Sequence, residues 1–205
     1  MVTPRATQPG GTLLGTLASR TDFSPAIRAA AVVLLAALTA MAAQVSIHLP
    51  FTPVPLTLQP MVVLLGGAAL GSRLGMASQI LYISAGIAGL PVFAASPVLP
   101  QGPLRLLGPT GGYLLSYPIA AFATGWLAER GFDRRYLTSV LAMAAGLAIV
   151  FVCGVAWLAL FARPTALGFE AALRTGFYPF FPIDLYKILV AAAVLPAVWR
   201  VTGRR

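Results

Sequence analysis

Asp184 and Lys187 are the only charged residues between Arg174 and Arg200, in the run Phe181-Pro182-Ile183-Asp184-Leu185-Tyr186-Lys187. A spacing of three places both on one helical face. The residues that follow, Ile188 to Val198, are uniformly apolar, so an acid and a base sit at the end of a helix suited to lipid. Ionisable groups at such depth are expensive and face a bundle interior or a cavity. Two chemistries fit: a structural ion pair that fixes this helix against its neighbours, or a ligand site where a carboxylate accepts hydrogen bonds and an ammonium donates them.

Other polar side chains recur where apolar runs begin or end: Gln44, Gln59, Tyr82, Ser84, Tyr113 and Ser116. Singly, each serves as an interhelical hydrogen-bonding group; together they place a site at one depth. Gly108-Pro109-Thr110-Gly111-Gly112-Tyr113 leads into a helix. Its glycines allow close backbone approach, and the free N–H groups of a helix start suit a carboxylate, although the same run also reads as an ordinary loop-to-helix turn. No Gly-Lys-Ser or Gly-Lys-Thr occurs, so the chain has no Walker A loop. His48 and Cys153 are the only residues of their types and there are five acids; these assemble neither a metal site nor a disulfide framework. No membrane-embedded base except Lys187 is available to a Ser or Thr nucleophile, which leaves an intramembrane hydrolase without positive support.

The elements that position these groups follow from composition. Of 205 residues, 59% are apolar and 9% charged, with a mean hydropathy of +0.87; a soluble domain would need a charged surface. The net charge of +9 is scattered in ones, twos and threes, which excludes a nucleic-acid stripe and reads as membrane topology. An all-α integral membrane protein with six transmembrane helices is expected. The spans run over about 27–47, 56–71, 74–90, 112–128, 139–161 and 182–199, the first of them long enough for a hydrocarbon core of about 30 Å. Ser24-Pro25 reads as N-cap and first helical residue. Pro50, Pro53 and Pro55 force an extended connection, and Pro60 falls in the first turn of the second span. Residues 91–111 are too apolar for an ordinary loop and read as a long outer lid between the third and fourth spans.

Residues 1–24 and 201–205 form tails around the membrane domain 25–200. With both ends in the cytoplasm, ten cationic residues lie inside, against Arg105, Arg163 and Arg174 outside, as the positive-inside rule asks. The polar groups then open outward.

The runs Ala36 to Gln44, PFTPVPLTLQ (50–59), LYISAGIAGLPVF (81–93), GPTGGY (108–113), GVAWLALF (154–161) and Phe180 to Lys187 resemble the BioY family of biotin transporters, the substrate-binding subunits of energy-coupling factor systems. The likeness covers nearly all of residues 28–199. It implies a six-helix fold in the cytoplasmic membrane of a bacterium, binding biotin from outside under a loop lid without covalent chemistry and without a cofactor. It further implies a transmembrane coupling protein and two cytoplasmic ATPases as partners; a homodimer is compatible with the sequence. Biotin offers two ureido N–H donors, a ureido carbonyl, an apolar ring and a carboxylate. Asp184 would accept from the ureido N–H groups, with Lys187 donating to the carbonyl or balancing Asp184. Tyr82, Phe93 and Tyr113 would form walls. Arg105, or the backbone at Gly111 and Gly112, would take the carboxylate, and Gln44 and Gln59 would complete the site. Ala36 and Ala40 form a small-residue stripe for the coupling protein or for packing within the chain. The competing expectation is a self-sufficient secondary transporter of a small carboxylic acid, with Asp184 as proton carrier.

Overall fold

The computed structural model describes residues 12–13, 24–95, 101–164 and 166–201. Most of the expected N-terminal tail, residues 202–205 and lid residues 96–100 lie outside the described residues. The described elements are helical except for one short strand pair. They run α1 (Ser24–Gln44), β1 (Ser46–Ile47), β2 (Leu56–Thr57), α2 (Gln59–Leu70), α3 (Ser72–Ile87), α4 (Leu104–Leu107), α5 (Gly111–Ala128), α6 (Tyr136–Leu160), α7 (Phe169–Gly176), α8 (Phe181–Ala191) and α9 (Val194–Val201). Three stretches are long and apolar enough to cross a membrane: Pro25–Gln44, Tyr136–Leu160 and Phe181–Val201. Helix α2, with 12 residues, is apolar but covers only about 18 Å.

Helix α5 is the centre of the bundle and packs on α2, α3 and α6. Its buried residues Tyr113, Tyr117, Ala120, Ala121, Thr124 and Ala128 recur at spacings of three and four, which is the period of a core-facing helical stripe. Glycines let the backbones approach: a Cβ on Gly67 would lie 2.6 Å from the Ala121 carbonyl oxygen, and one on Gly75 would lie 2.9 Å from the Gly67 Cα. Without a solvent-driven hydrophobic term between helices in lipid, such close van der Waals packing is the main source of association.

One residue, Gly71 at φ +91°, reverses the chain between α2 and α3. The left-handed region is open to glycine at little cost. The Glu129 carboxylate at the end of α5 accepts hydrogen bonds from the Ser72 N–H at 2.8 Å and the Ser72 hydroxyl at 2.9 Å, placing negative charge at the N-terminus of α3, where unpaired N–H groups favour it. Thr12 is buried beside this turn, and Leu13 packs against Ala68, Ala128 and Leu195.

The last apolar run is not one helix. Ala192 and Ala193 form a turn between α8 and α9, and Pro196 explains it: a proline has no N–H for the carbonyl of Ala192 and its ring collides with that carbonyl. Beyond the turn, Trp199 is buried and donates its indole N–H to Asp133 Oδ2 at 2.7 Å. Burial raises the pKa of Asp133 above the usual carboxylate range, and the Trp199 hydrogen bond opposes the shift. Residues 162–180, unassigned by sequence, contain α7, whose Thr175 carbonyl accepts a 2.6 Å hydrogen bond from the Thr52 hydroxyl in the proline-rich connection.

Candidate ligand-binding pocket

The C-terminal ends of α1 and α3 meet the N-terminal ends of α2, α5 and α8 at one end of the bundle, and a pocket opens there. It holds about 620 Å³ of space between protein atoms, mouth included. Val54, Pro55, Leu56 and Thr57 form one side, Phe93 and Ala94 another, and Tyr113, Leu114 and Tyr117 of α5 form the back. Asp184, Gln59, Arg105 and Thr110 supply polar edges, with Phe151 and Phe180 completing the wall. A mostly apolar cavity with a few convergent polar groups is the general form of a small-molecule site.

The acid and base of α8 take different places. Asp184 is 5% exposed and lines the cavity. Lys187 stands behind it: its ammonium donates to Asp184 Oδ1 at 2.8 Å and to the Thr57 carbonyl at 2.7 Å. The pair is therefore neutral in sum, and the lysine also holds the end of β2.

Arg105 is 4% exposed on the pocket wall. Neither ion pair among the described residues involves it, and its Nε has no hydrogen-bond partner there. Burial lowers its pKa from the usual value, while the Tyr82 phenol opposes the shift; a guanidinium stays charged regardless. An unpaired buried cation is costly, so this wall is suited to an anion.

Three further groups singled out by sequence shape the pocket, Tyr82 and Gln44 from outside its lining and Tyr113 from within it. Tyr82 accepts a 2.6 Å hydrogen bond from the Gln59 amide and donates to the Val92 carbonyl at 3.3 Å; its ring meets Phe93 edge to face at 5.6 Å. Gln44 donates to the carbonyls of Ala40 and Pro91. Tyr113 contributes its ring to the lining while its hydroxyl donates to the Gly176 carbonyl at 2.8 Å.

Gly111 and Gly112 stand apart from the cavity. A Cβ on Gly111 would collide with the Leu106 carbonyl, and one on Gly112 would collide with Trp157. The Trp157 indole N–H donates to the Gly108 carbonyl at 3.0 Å, sealing this turn against α6. The glycines serve helix contact there, which leaves Arg105 as the cationic candidate for a carboxylate. Ala36 also turns inward: it is buried in the chain's own core, with Ala40 half-buried against it. Leu35 beside it fills the space that a Cβ on Gly66 would need, so the exposed face of α1 is formed by Leu34, Leu38 and Met41.

Sequence reasoning missed Thr57, Thr110, Tyr117 and the apolar lining other than Phe93 and Tyr113. Tyr117 carried a usable signal, four residues after Tyr113 on the same helical face. Among the described residues, no group of His, Cys, Asp and Glu side chains could hold a metal ion.

A family model described as the BioY family matches residues 16–204. The chain belongs to the BioY family. Among its relatives, a probable biotin transporter BioY of Pyrococcus horikoshii is 40% identical over 163 residues, covering 80% of this chain and 90% of that protein. The biotin transporter BioY of Thermotoga maritima is 36% identical over 148 residues, covering 72% and 82%. In fold, the chain is similar to a crystal structure of the S-component for biotin from an ECF-type ABC transporter. That likeness has a TM-score of 0.77 at 21% identity, over 88% of this chain and 94% of that one. The BioY match therefore spans every element that builds the pocket.

Proposed function

We propose that this chain binds biotin and carries it into the cell as the substrate-specific component of an energy-coupling factor transporter. One observation carries the reading from the chain itself: an apolar cavity whose polar edges are a lysine-balanced carboxylate, Asp184, and a buried guanidinium, Arg105, with no ion-pair partner among the described residues. Biotin has matching ends, ureido N–H groups for Asp184 and a carboxylate for Arg105, joined by an apolar ring and chain that suit Phe93, Tyr113 and Tyr117. The named relatives are biotin transporters and the structural relative is an S-component for biotin, which supports the same assignment.

In this reading the chain crosses the cytoplasmic membrane of a bacterium six times, with both ends inside. The shorter helices α2, α3 and α5 act as spans beside the three longer ones. The excess of Arg on the inner side supports the orientation. A transmembrane coupling protein and two ATPases supply the energy, and the chain needs no cofactor of its own.

Purified protein in nanodiscs, titrated in parallel with biotin, thiamine and riboflavin, is expected to bind biotin alone with sub-micromolar Kd. Selective binding of another vitamin would overturn the assignment. Proton-driven biotin uptake into vesicles holding only this chain would favour a secondary transporter.

The pocket wall gives a second expectation. A Cβ on Gly86 would collide with the ring of Phe93, a side chain that also lines the cavity. Gly86→Ala is expected to weaken biotin binding by about 10- to 100-fold, corresponding to an overpacking cost of roughly 1–3 kcal/mol, with the melting temperature nearly unchanged. Isothermal titration beside a thermal scan measures both.

A further inference from the structure

Two stretches of chain line the pocket, 54–57 and 93–94, and neither belongs to a spanning helix. Both are held by a single line of hydrogen bonds that starts at Asp184. The Lys187 ammonium joins Asp184 to the Thr57 carbonyl. The Thr57 hydroxyl donates to Gln59 Oε1 at 3.3 Å, the Gln59 amide donates to the Tyr82 hydroxyl, and that hydroxyl donates to the Val92 carbonyl. Each link uses a different element: α8, β2, the start of α2, α3 and then the segment after α3. Lys187 and Tyr82 do not line the cavity, whereas Asp184, Thr57, Gln59 and Phe93 do.

We infer that Lys187 and Tyr82 are positioning residues of a polar latch that hangs both lining segments on the wall carrying Asp184, so that the state of the ligand end governs how firmly both are held. The inference rests on the biotin-binding reading, but the latch also exists without ligand. Three features of the line carry it. The lysine is shared between an acid and a backbone carbonyl, so a hydrogen-bond donor arriving at Asp184 competes with it and changes its hold on β2. Gln59 is polar on both sides, receiving from Thr57 and giving to Tyr82, so its amide orientation transmits the arrangement of one segment to the other. Val54 and Phe93 anchor the two segments in the core, but little backbone pairing holds them. The β1–β2 pair is only two residues long, Ser46 opposite Thr57 and Ile47 opposite Leu56. Residues 91–95 form no helix or strand and depend on side-chain donors, with Gln44, His48 and Gln101 reaching the carbonyls of Pro91, Ala95 and Phe93.

The test is hydrogen–deuterium exchange on the full chain in nanodiscs, with biotin dissociation measured on the same samples. Tyr82→Phe removes the hydroxyl without changing charge, and Lys187→Gln removes the ammonium. In ligand-free protein, Tyr82→Phe is expected to speed exchange in residues 90–95 by about three- to tenfold, the equivalent of one net hydrogen bond. Lys187→Gln is expected to do the same in residues 45–58, and each variant is expected to speed exchange to a lesser degree in the other segment. Helices α5 and α6 keep wild-type protection, which separates a latch from general loosening. Biotin dissociation from both variants is expected to accelerate by a similar factor. Wild-type exchange in both segments, or faster exchange confined to the segment nearest each substitution, would overturn the coupled latch while leaving biotin binding standing. A wild-type chain that binds no biotin would overturn the functional reading, and the ligand-free exchange would still judge the latch. Should Lys187→Gln fail to fold, Tyr82→Phe decides through its effect on residues 45–58.

Discussion

Asp184→Ala is expected to weaken biotin binding by about 10- to 100-fold and to lower the yield of folded protein. Two losses combine. The ligand loses a charged acceptor, worth about 1.5–3 kcal/mol for a hydrogen bond to an ionised group, and each 1.4 kcal/mol is about a factor of ten in Kd. The protein loses the partner of Lys187, whose side chain is 11% exposed. Removing one member of a buried ion pair strands the other charge, at a cost of about 3–5 kcal/mol.

A paired substitution separates the two losses. In Asp184→Leu with Lys187→Met no buried charge is stranded, and apolar replacement of a buried pair is often neutral for stability. The double variant is therefore expected to recover wild-type yield and thermal stability but not biotin binding. Asp184→Asn keeps the shape and one acceptor oxygen; titration of this variant against the wild type reads the value of the charge. Sub-micromolar binding that survives Asp184→Asn would remove Asp184 from the ligand contacts. A double variant that binds biotin normally would return the pair to a purely structural role.

The parts of this architecture that were legible in the sequence are those where an uncommon residue type stands against an apolar background. Asp184, Gln59 and Arg105 are conspicuous because so few residues of the chain are charged or strongly polar, and all three border the cavity. Val54, Phe151 and Phe180 border it as well, yet nothing in their type or spacing separates them from the many apolar residues that face lipid or core. Pattern alone also could not say which polar group touches the cavity and which stands behind it. Lys187 and Tyr82 stand behind the lining, each taken up by a backbone carbonyl of another segment, a pairing with no local signature. Pro196 did announce the break between α8 and α9, but it stands in a run so uniformly apolar that hydropathy reads straight through it. Helix α7 escaped because FEAALRTG is short and carries charge at both ends, and so lacks the apolar length by which the other helices stand out. Gly111 and Gly112 show the converse ambiguity: a glycine signals close approach, and the sequence does not reveal whether the approaching group is a ligand or, as here, the Leu106 carbonyl and the side chain of Trp157.

That ambiguity has a resolvable case at the other end of α5, where Gly125→Ala is expected to be strongly destabilising for a single-methyl change. A Cβ there would lie 2.5 Å from both the Gly71 carbonyl carbon and the Ser72 nitrogen, and 2.7 Å from the Gly67 carbonyl oxygen. All three are backbone atoms of the α2–α3 reversal, so no side chain can rotate aside. The helices must separate, and one turn further along α5 the Glu129 carboxylate would lose its two hydrogen bonds to Ser72. Overpacking costs about 1–3 kcal/mol even where side chains absorb part of the strain, and loss of a helix cap adds roughly 1 kcal/mol. For a chain of this size that corresponds to a fall in melting temperature of about 5–15 °C, read by a thermal scan in detergent. Gly86→Ala adds the same methyl against the ring of Phe93 and should instead leave melting nearly unchanged while biotin affinity falls. The two variants thus exchange outcomes, stability lost at Gly125 and binding lost at Gly86. A Gly125→Ala protein that melts within about 2 °C of wild type would mean that the α2–α3 turn is not the rigid backbone contact on which α5 closes.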